Sequence, residues 1–225
     1  MPKRFAGLGV SSLLLVVTCG AAAAQVQTAE GAPSETTTAA TSTSAAALPA
    51  SQPPRPASSL VPADFAVPTL VHGNGFKLVP LGPDLVEVDY AAYMSSIEHL
   101  QRTFTRSTAW PRQDITPADA MEDMLSEQAR FQKRASFAYG VLTPDGKRER
   151  GSVYVSPSPV PGYDAMVRMW VTREDHEAGF DAELYQWVRA WIARDWPFAN
   201  AAYPGRAVAW STWDPLVAAH KPKQK

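Results

Sequence analysis

Apolar positions in the later part of the chain recur with two periods, one of two residues and one of three to four. Residues 76–81, Phe-Lys-Leu-Val-Pro-Leu, read as a short strand. A stripe at Tyr93, Ile97, Leu100 and Phe104 is spaced 4, 3 and 4, the repeat of one helix face. Thr116-Pro117-Ala118-Asp119 predicts a helix start, with Thr as N-cap, Pro at the first helical position and an acid at the third. Met121, Met124, Leu125 and Gln128 continue that helix toward Phe131, and Lys133 and Arg134 suit its last turn. Phe137, Tyr139 and Val141 then alternate with Ser136, Ala138 and Gly140. Asp145-Gly146 turns the chain, and residues 151–155 return as the partner strand. Residues 165–171 predict a third strand of this group. The clearest helix follows, carrying Phe180, Leu184, Trp187, Val188, Trp191 and Ile192. A short strand near 200–203 and a final one over 207–213 close the order β, α, α, β, β, β, α, β, β. Hairpin strands between helices make the fold class α/β or α+β, with a mixed, mostly antiparallel sheet flanked by helices.

Composition divides the chain before that domain. Residues 25–60 contain no Phe, Trp or Tyr, and their charged residues are Glu30, Glu35 and Arg55. Such an Ala/Thr/Ser/Pro segment has too little apolar surface to offset the entropy of ordering. It reads as a solvated tether over 25–62. The domain is placed at 63–216 and a basic tail at 217–225. All seven Trp lie in the domain, where helix-on-sheet packing accounts for Trp170, Trp187 and Trp191. Trp210 and Trp213, harder to bury, suggest an aromatic surface. The net charge of −1 argues against nucleic acid as a partner, which requires a basic face. The single cysteine, Cys19, excludes an internal disulfide framework. Four scattered histidines form no paired metal motif, so no metal site is expected.

The first residues carry an address. Lys3 and Arg4 precede an apolar run over 5–17, and Ala22-Ala23-Ala24 forms a small-residue cleavage site before Gln25. This is the pattern of a secretory signal peptide over 1–24. The run is short of the about 20 apolar residues that span a bilayer. Val16-Val17-Thr18-Cys19 also resembles a lipoprotein box, with Thr18 at a position that usually holds a smaller residue. Two outcomes stand open: a secreted or periplasmic chain, or one whose membrane contact is a lipid at Cys19.

The element order is similar to the GNAT-type N-acetyltransferase fold. Residues 76–81 resemble that superfamily's opening strand, and Trp110-Pro111, Trp196-Pro197-Phe198 and Tyr203-Pro204-Gly205-Arg206 resemble one bacterial subgroup. The resemblance spans about residues 76–206. It implies acetyl-CoA as the acyl donor and an amine on a small molecule or protein as acceptor. In the family, the central strand enters a Gly-rich loop whose amides, with the next helix N-terminus, hold the pyrophosphate. Here that stretch runs from the strand's last residue, Val171, to His176, Gly179, Phe180 and Asp181. His176 stands where Gln or Arg is expected, and Asp181 replaces a Gly or Ala. A carboxylate there can cap its own helix and repel a phosphate. The family's acid–base roles fall on Glu174 and Tyr203. Two functions follow: an exported N-acyltransferase, or a GNAT-like module of the cell envelope that binds without catalysis.

Overall fold

The computed structural model describes residues 59–221. Strands β1 (Val71–Gly73) and β2 (Phe76–Pro80) form a first hairpin. A 3-10 turn over Pro83–Leu85 leads into α1 (Val86–Met94) and α2 (Ile97–Leu100), and the chain runs on as a wide π turn over Gln101–Thr105. Helix α3 (Pro117–Gln132) precedes β3 (Phe137–Leu142), β4 (Glu149–Ser156) and β5 (Ala165–Val171). A one-turn helix, α4 (Arg173–Glu177), separates β5 from α5 (Phe180–Asp195). Strand β6 (Ala201–Ala202) and helix α6 (Trp210–His220) complete the domain. The sheet runs in chain order from β1 to β6 and is antiparallel until its last pair.

The predicted cap of α3 forms as a full capping box: Thr116 Oγ1 accepts from Asp119 N, and the Asp119 carboxylate accepts from Thr116 N. The two-residue alternation of β3 serves both faces of the sheet, and the whole strand is buried. Phe137, Tyr139 and Val141 face α5, whose Phe180, Leu184, Val188, Trp191 and Ile192 complete the main core. Each such side chain contributes on the order of 2 kcal/mol by leaving water. On the opposite face Ala138 and Gly140 are small, and α1 and α3 cover that side through Tyr93, Ala120 and Met124. Small residues opposite two helices leave room for the chamber described below.

Four local features differ from expectation. The stripe from Tyr93 to Phe104 bends at Ser95-Ser96, and Ser96 Oγ accepts from Arg173 N of α4, which ties this break to the end of β5. The return strand begins at Glu149, because a register shift between Val141 and Leu142 pairs Leu142 with Glu149 and Val141 with Gly151. Residues 207–213 are not a strand. Only one bridge, Pro204 to Val208, forms there, and helix α6 starts at Trp210. Its Trp213, Leu216 and Val217 pack at helical spacing around Val160 and Ala202, so Trp213 is buried rather than displayed. Finally, Leu60 and Val61 lie in the main core, inside the stretch read as tether, held where Arg134 donates to the carbonyls of Pro62 and Phe65. Residues 1–58, with the predicted leader and Cys19, lie outside the described residues, as do 222–225.

Candidate functional site

The junction between β5 and α5 is built around a buried acid. Thr172 caps α4 by accepting from Asp175 N, and its hydroxyl donates to Asp175 Oδ2 at 2.8 Å. Asp175 also receives Arg148 Nη1 at 2.6 Å and Arg150 Nε at 2.7 Å from the β3–β4 hairpin. Burial pushes its pKa up, but these three donors outweigh burial and hold it below the usual carboxylate range. Gly179 then enters the left-handed region at φ 84°, open to glycine at no steric cost, and starts α5 with no side-chain cap. Asp181 therefore does not cap its own helix, contrary to expectation. Its carboxylate turns outward to a stronger partner, the Arg206 guanidinium, with two parallel contacts of 2.5 and 2.6 Å. Burial raises the Asp181 pKa and Arg206 lowers it, with a net fall.

Beyond Met166, β5 runs on without β6, and a cleft of about 320 Å³ opens between β5 and residues 204–206. His99, Arg102, Arg106, Arg168, His176, Asp181 and Arg206 line it. Four guanidinium groups against one carboxylate make it cationic, although Arg106 is held by Asp214 at 2.9 Å. The His99 and His176 rings pack 4.8 Å apart, and burial followed by His176 pulls the His99 pKa down.

Of the residues placed here from sequence, Val171, His176 and Asp181 meet in this cleft. Gly179 shapes the turn beside it. Phe180 is a core residue, edge-on to Phe76, with the Arg150 guanidinium 3.4 Å from its ring centre. Glu174 is exposed and faces a separate hollow beside α1 and Arg148. Tyr203 is buried against Tyr185, its pKa pushed up to about 12 by burial, and it lines neither cavity flanking β5. The structure thus separates Glu174 and Tyr203 from each other and from the cleft.

A larger chamber of about 620 Å³ lies across β5, between the sheet and helices α1 and α3. Aromatic rings from Tyr93, Phe104, Trp110 and Tyr154 line it, with the acids Asp89, Asp123 and Glu127. Behind Asp89 sits Glu149, 1% exposed, turned inward by the register shift; Ser152 Oγ donates to its Oε1 at 2.7 Å. Gly140 makes that place, since a Cβ there would stand 3.3 Å from Glu149 Oε2. Asp89 and Glu149 are buried neighbours, and two adjacent carboxyls escape mutual repulsion by holding a proton between them. Burial, opposed by the Glu149 bond and aided by Asp123 and Glu127, pushes the Asp89 pKa up to about 7. Glu149 is raised well above its usual range by burial and then by Asp89. Sequence reasoning missed both acids. The available signal was the small Ala138 and Gly140 opposite a strand start rich in charge.

No family model matches the sequence, and neither does any curated protein. Ten solved chains share its general shape. A ribosomal-protein-S5-alanine acetyltransferase from Vibrio fischeri superposes with a TM-score of 0.48 at 14% identity, covering 68% of this chain and 81% of that one. A protein of Bordetella pertussis assigned to the GnaT family of acetyltransferases gives 0.43 at 20% identity, over 56% and 74%. A Vibrio cholerae protein assigned as a ribosomal-protein-serine acetyltransferase gives 0.43 at 14%, over 58% and 68%.

Proposed function

We propose that the domain is a GNAT-like N-acyltransferase, exported from the cytoplasm, whose donor cleft and acceptor chamber meet at β5. The observation that carries this reading is a shared wall: Phe104 and Arg168 line both cavities. Acyl transfer needs two bound reactants on either side of one point, and proximity of that kind supplies much of the rate. The donor set of the cleft fits a polyphosphate. Arg168 has no carboxylate partner among the described residues, Arg102 is held only at 3.8 Å by the exposed Glu98, and the first turn of α5 has no side-chain cap. A bound acyl thioester would supply the activated acyl group. The chain's own contribution is on the other side. An ammonium acceptor must give up a proton before attack, and Asp89, with a pKa near neutrality, is suited to take it. The test is thiol release from acetyl-CoA with a panel of amines, alongside thermal shift with CoA. Release that disappears in Asp89→Asn supports the reading. The absence of both release and shift at millimolar CoA overturns it. Export rests on the leader pattern; a fusion reporter active inside the cell would refute it.

One observation favours the non-catalytic alternative. Asp181 already holds Arg206 in a two-pronged ion pair at the cleft's rim, the place where a phosphate would compete for it. On that reading the domain binds a ligand and transfers nothing, and the same assay separates the two.

A further inference from the structure

Taking the acyl-transfer reading as its context, we propose that the chamber is built for an organic cation with an apolar body, an arylalkylammonium, its charge seated on Asp89 and Tyr93. Four observations converge. Asp89 and Asp123 line the chamber and make no ion pair among the described residues, whereas Glu127 is already tied to Arg130. Tyr93 lines it too, is 3% exposed, and its buried hydroxyl has no partner. A buried orphan of this kind costs about 1–3 kcal/mol, so it marks a place where a donor is expected. An ammonium N–H would donate to that oxygen and to Asp89 together.

The rings give the body its surface. Trp110 lies 5.2 Å from Tyr93 and 6.1 Å from Phe104, and Phe104 stacks on Tyr154 at 5.7 Å. Aromatic faces attract cations, and one of them already does: the Arg168 guanidinium sits 4.2 Å from the Phe104 ring centre. Competing ligand classes fit less well. The chamber's three acids outnumber its two guanidiniums, and Arg130 is already paired with Glu127, so an anion is disfavoured there. No three acids among the described residues converge as a metal ion requires.

The test uses the full chain without any acyl donor. Titrations of 2-phenylethylammonium, 2-phenylethanol and 3-phenylpropionate, read by tryptophan fluorescence and by calorimetry, compare one shape with charges of +1, 0 and −1. The cation is expected to bind at least tenfold more tightly than the alcohol, with no binding of the carboxylate. Asp89→Asn and Tyr93→Phe should each weaken the cation severalfold, and both changes keep side-chain shape. Equal binding of all three probes overturns the proposal, as does cation binding unmoved by both substitutions. Should either variant fail to fold, the probe series on the unaltered chain decides. Thiol release from acetyl-CoA, measured in parallel, keeps the two ideas apart. Cation binding without release leaves this site standing and removes acyl transfer. Release with amines that lack an aryl body, and no cation binding, does the reverse.

Discussion

The two cavities on either side of β5 handle charge in opposite ways. In the cleft, the charged groups answer one another: Asp181 holds Arg206 and Asp214 holds Arg106. In the chamber, polar groups lack a compensating partner: Asp89 is buried beside another acid, Glu149, and the buried Tyr93 hydroxyl has no partner. The cleft spends its chemistry on holding the fold, while the chamber keeps its chemistry available at a cost in stability. A paired site resists a ligand that must displace the internal partner. An unpaired one is strained until a ligand arrives, because an uncompensated polar group in a low-dielectric interior is unfavourable.

The comparison breaks most severely at the junction between β5 and α5. Asp175 is 3% exposed and anchors two arginines and its own helix cap. Asp175→Ala should cost about 3–5 kcal/mol in urea unfolding, the penalty for losing one partner of a buried ion pair. A loss under about 1 kcal/mol would mean that the junction does not depend on it.

Next in size is the acid pair of the chamber. The folded-state pKa of Asp89, about 7, lies above its ordinary 3.8, so this group's contribution is complete below about pH 4 and is lost as pH rises through 7. The groups facing it are Glu149 and Tyr154 from β4, Asp123, Glu127 and Arg130 from α3, Arg168 from β5 and Tyr93 from α1. Relative to a double variant, Asp89→Asn with Glu149→Gln, the unaltered chain should lose on the order of 3 kcal/mol between pH 5 and pH 8. Melting temperatures across that range check it, and parallel profiles for the two chains would show that the pair does not titrate there.

A third substitution sharpens the contrast. Asp181→Gly frees Arg206 for an anion, and the affinity for CoA should rise about tenfold, about 1.4 kcal/mol. Calorimetry with CoA reads this directly; unchanged affinity would mean that the pair does not obstruct the cleft. The smallest effect belongs to Thr116→Ala, which removes the α3 cap on an exposed end. It should cost about 1 kcal/mol in thermal unfolding and leave ligand binding in both cavities untouched.

What could be read in the sequence was what neighbours in the chain decide. The α3 cap joins Thr116 to a residue three positions on, the β3–β4 turn needs only Asp145-Gly146, and α5 announces itself by its own spacing. Asp181 was legible as a departure, but its partner was not. Arg206 is 25 positions away, and no local pattern links the two. Helix α4 was missed for the same reason, since Asp175 is held by residues 25 and 27 positions earlier. The chamber was the least visible. Asp89 and Glu149 come from α1 and β4, and each alone looks like a surface acid in a charged stretch. Helix α6 was taken for a strand because Pro215 interrupts its apolar residues; the Trp213 contact with Tyr163 decides it.

Gly140 carries no charge and touches no ligand, yet the store of one proton beneath the chamber floor depends on its missing methyl group. An alanine there would press on Glu149 Oε2 at 3.3 Å and on Leu81 Cδ2 at 3.2 Å, so the acid or the leucine must give way by a few tenths of an ångström. An inert position thus sets where a reactive one sits, and a methyl group at residue 140 is expected to shift the acid pair rather than leave it in place.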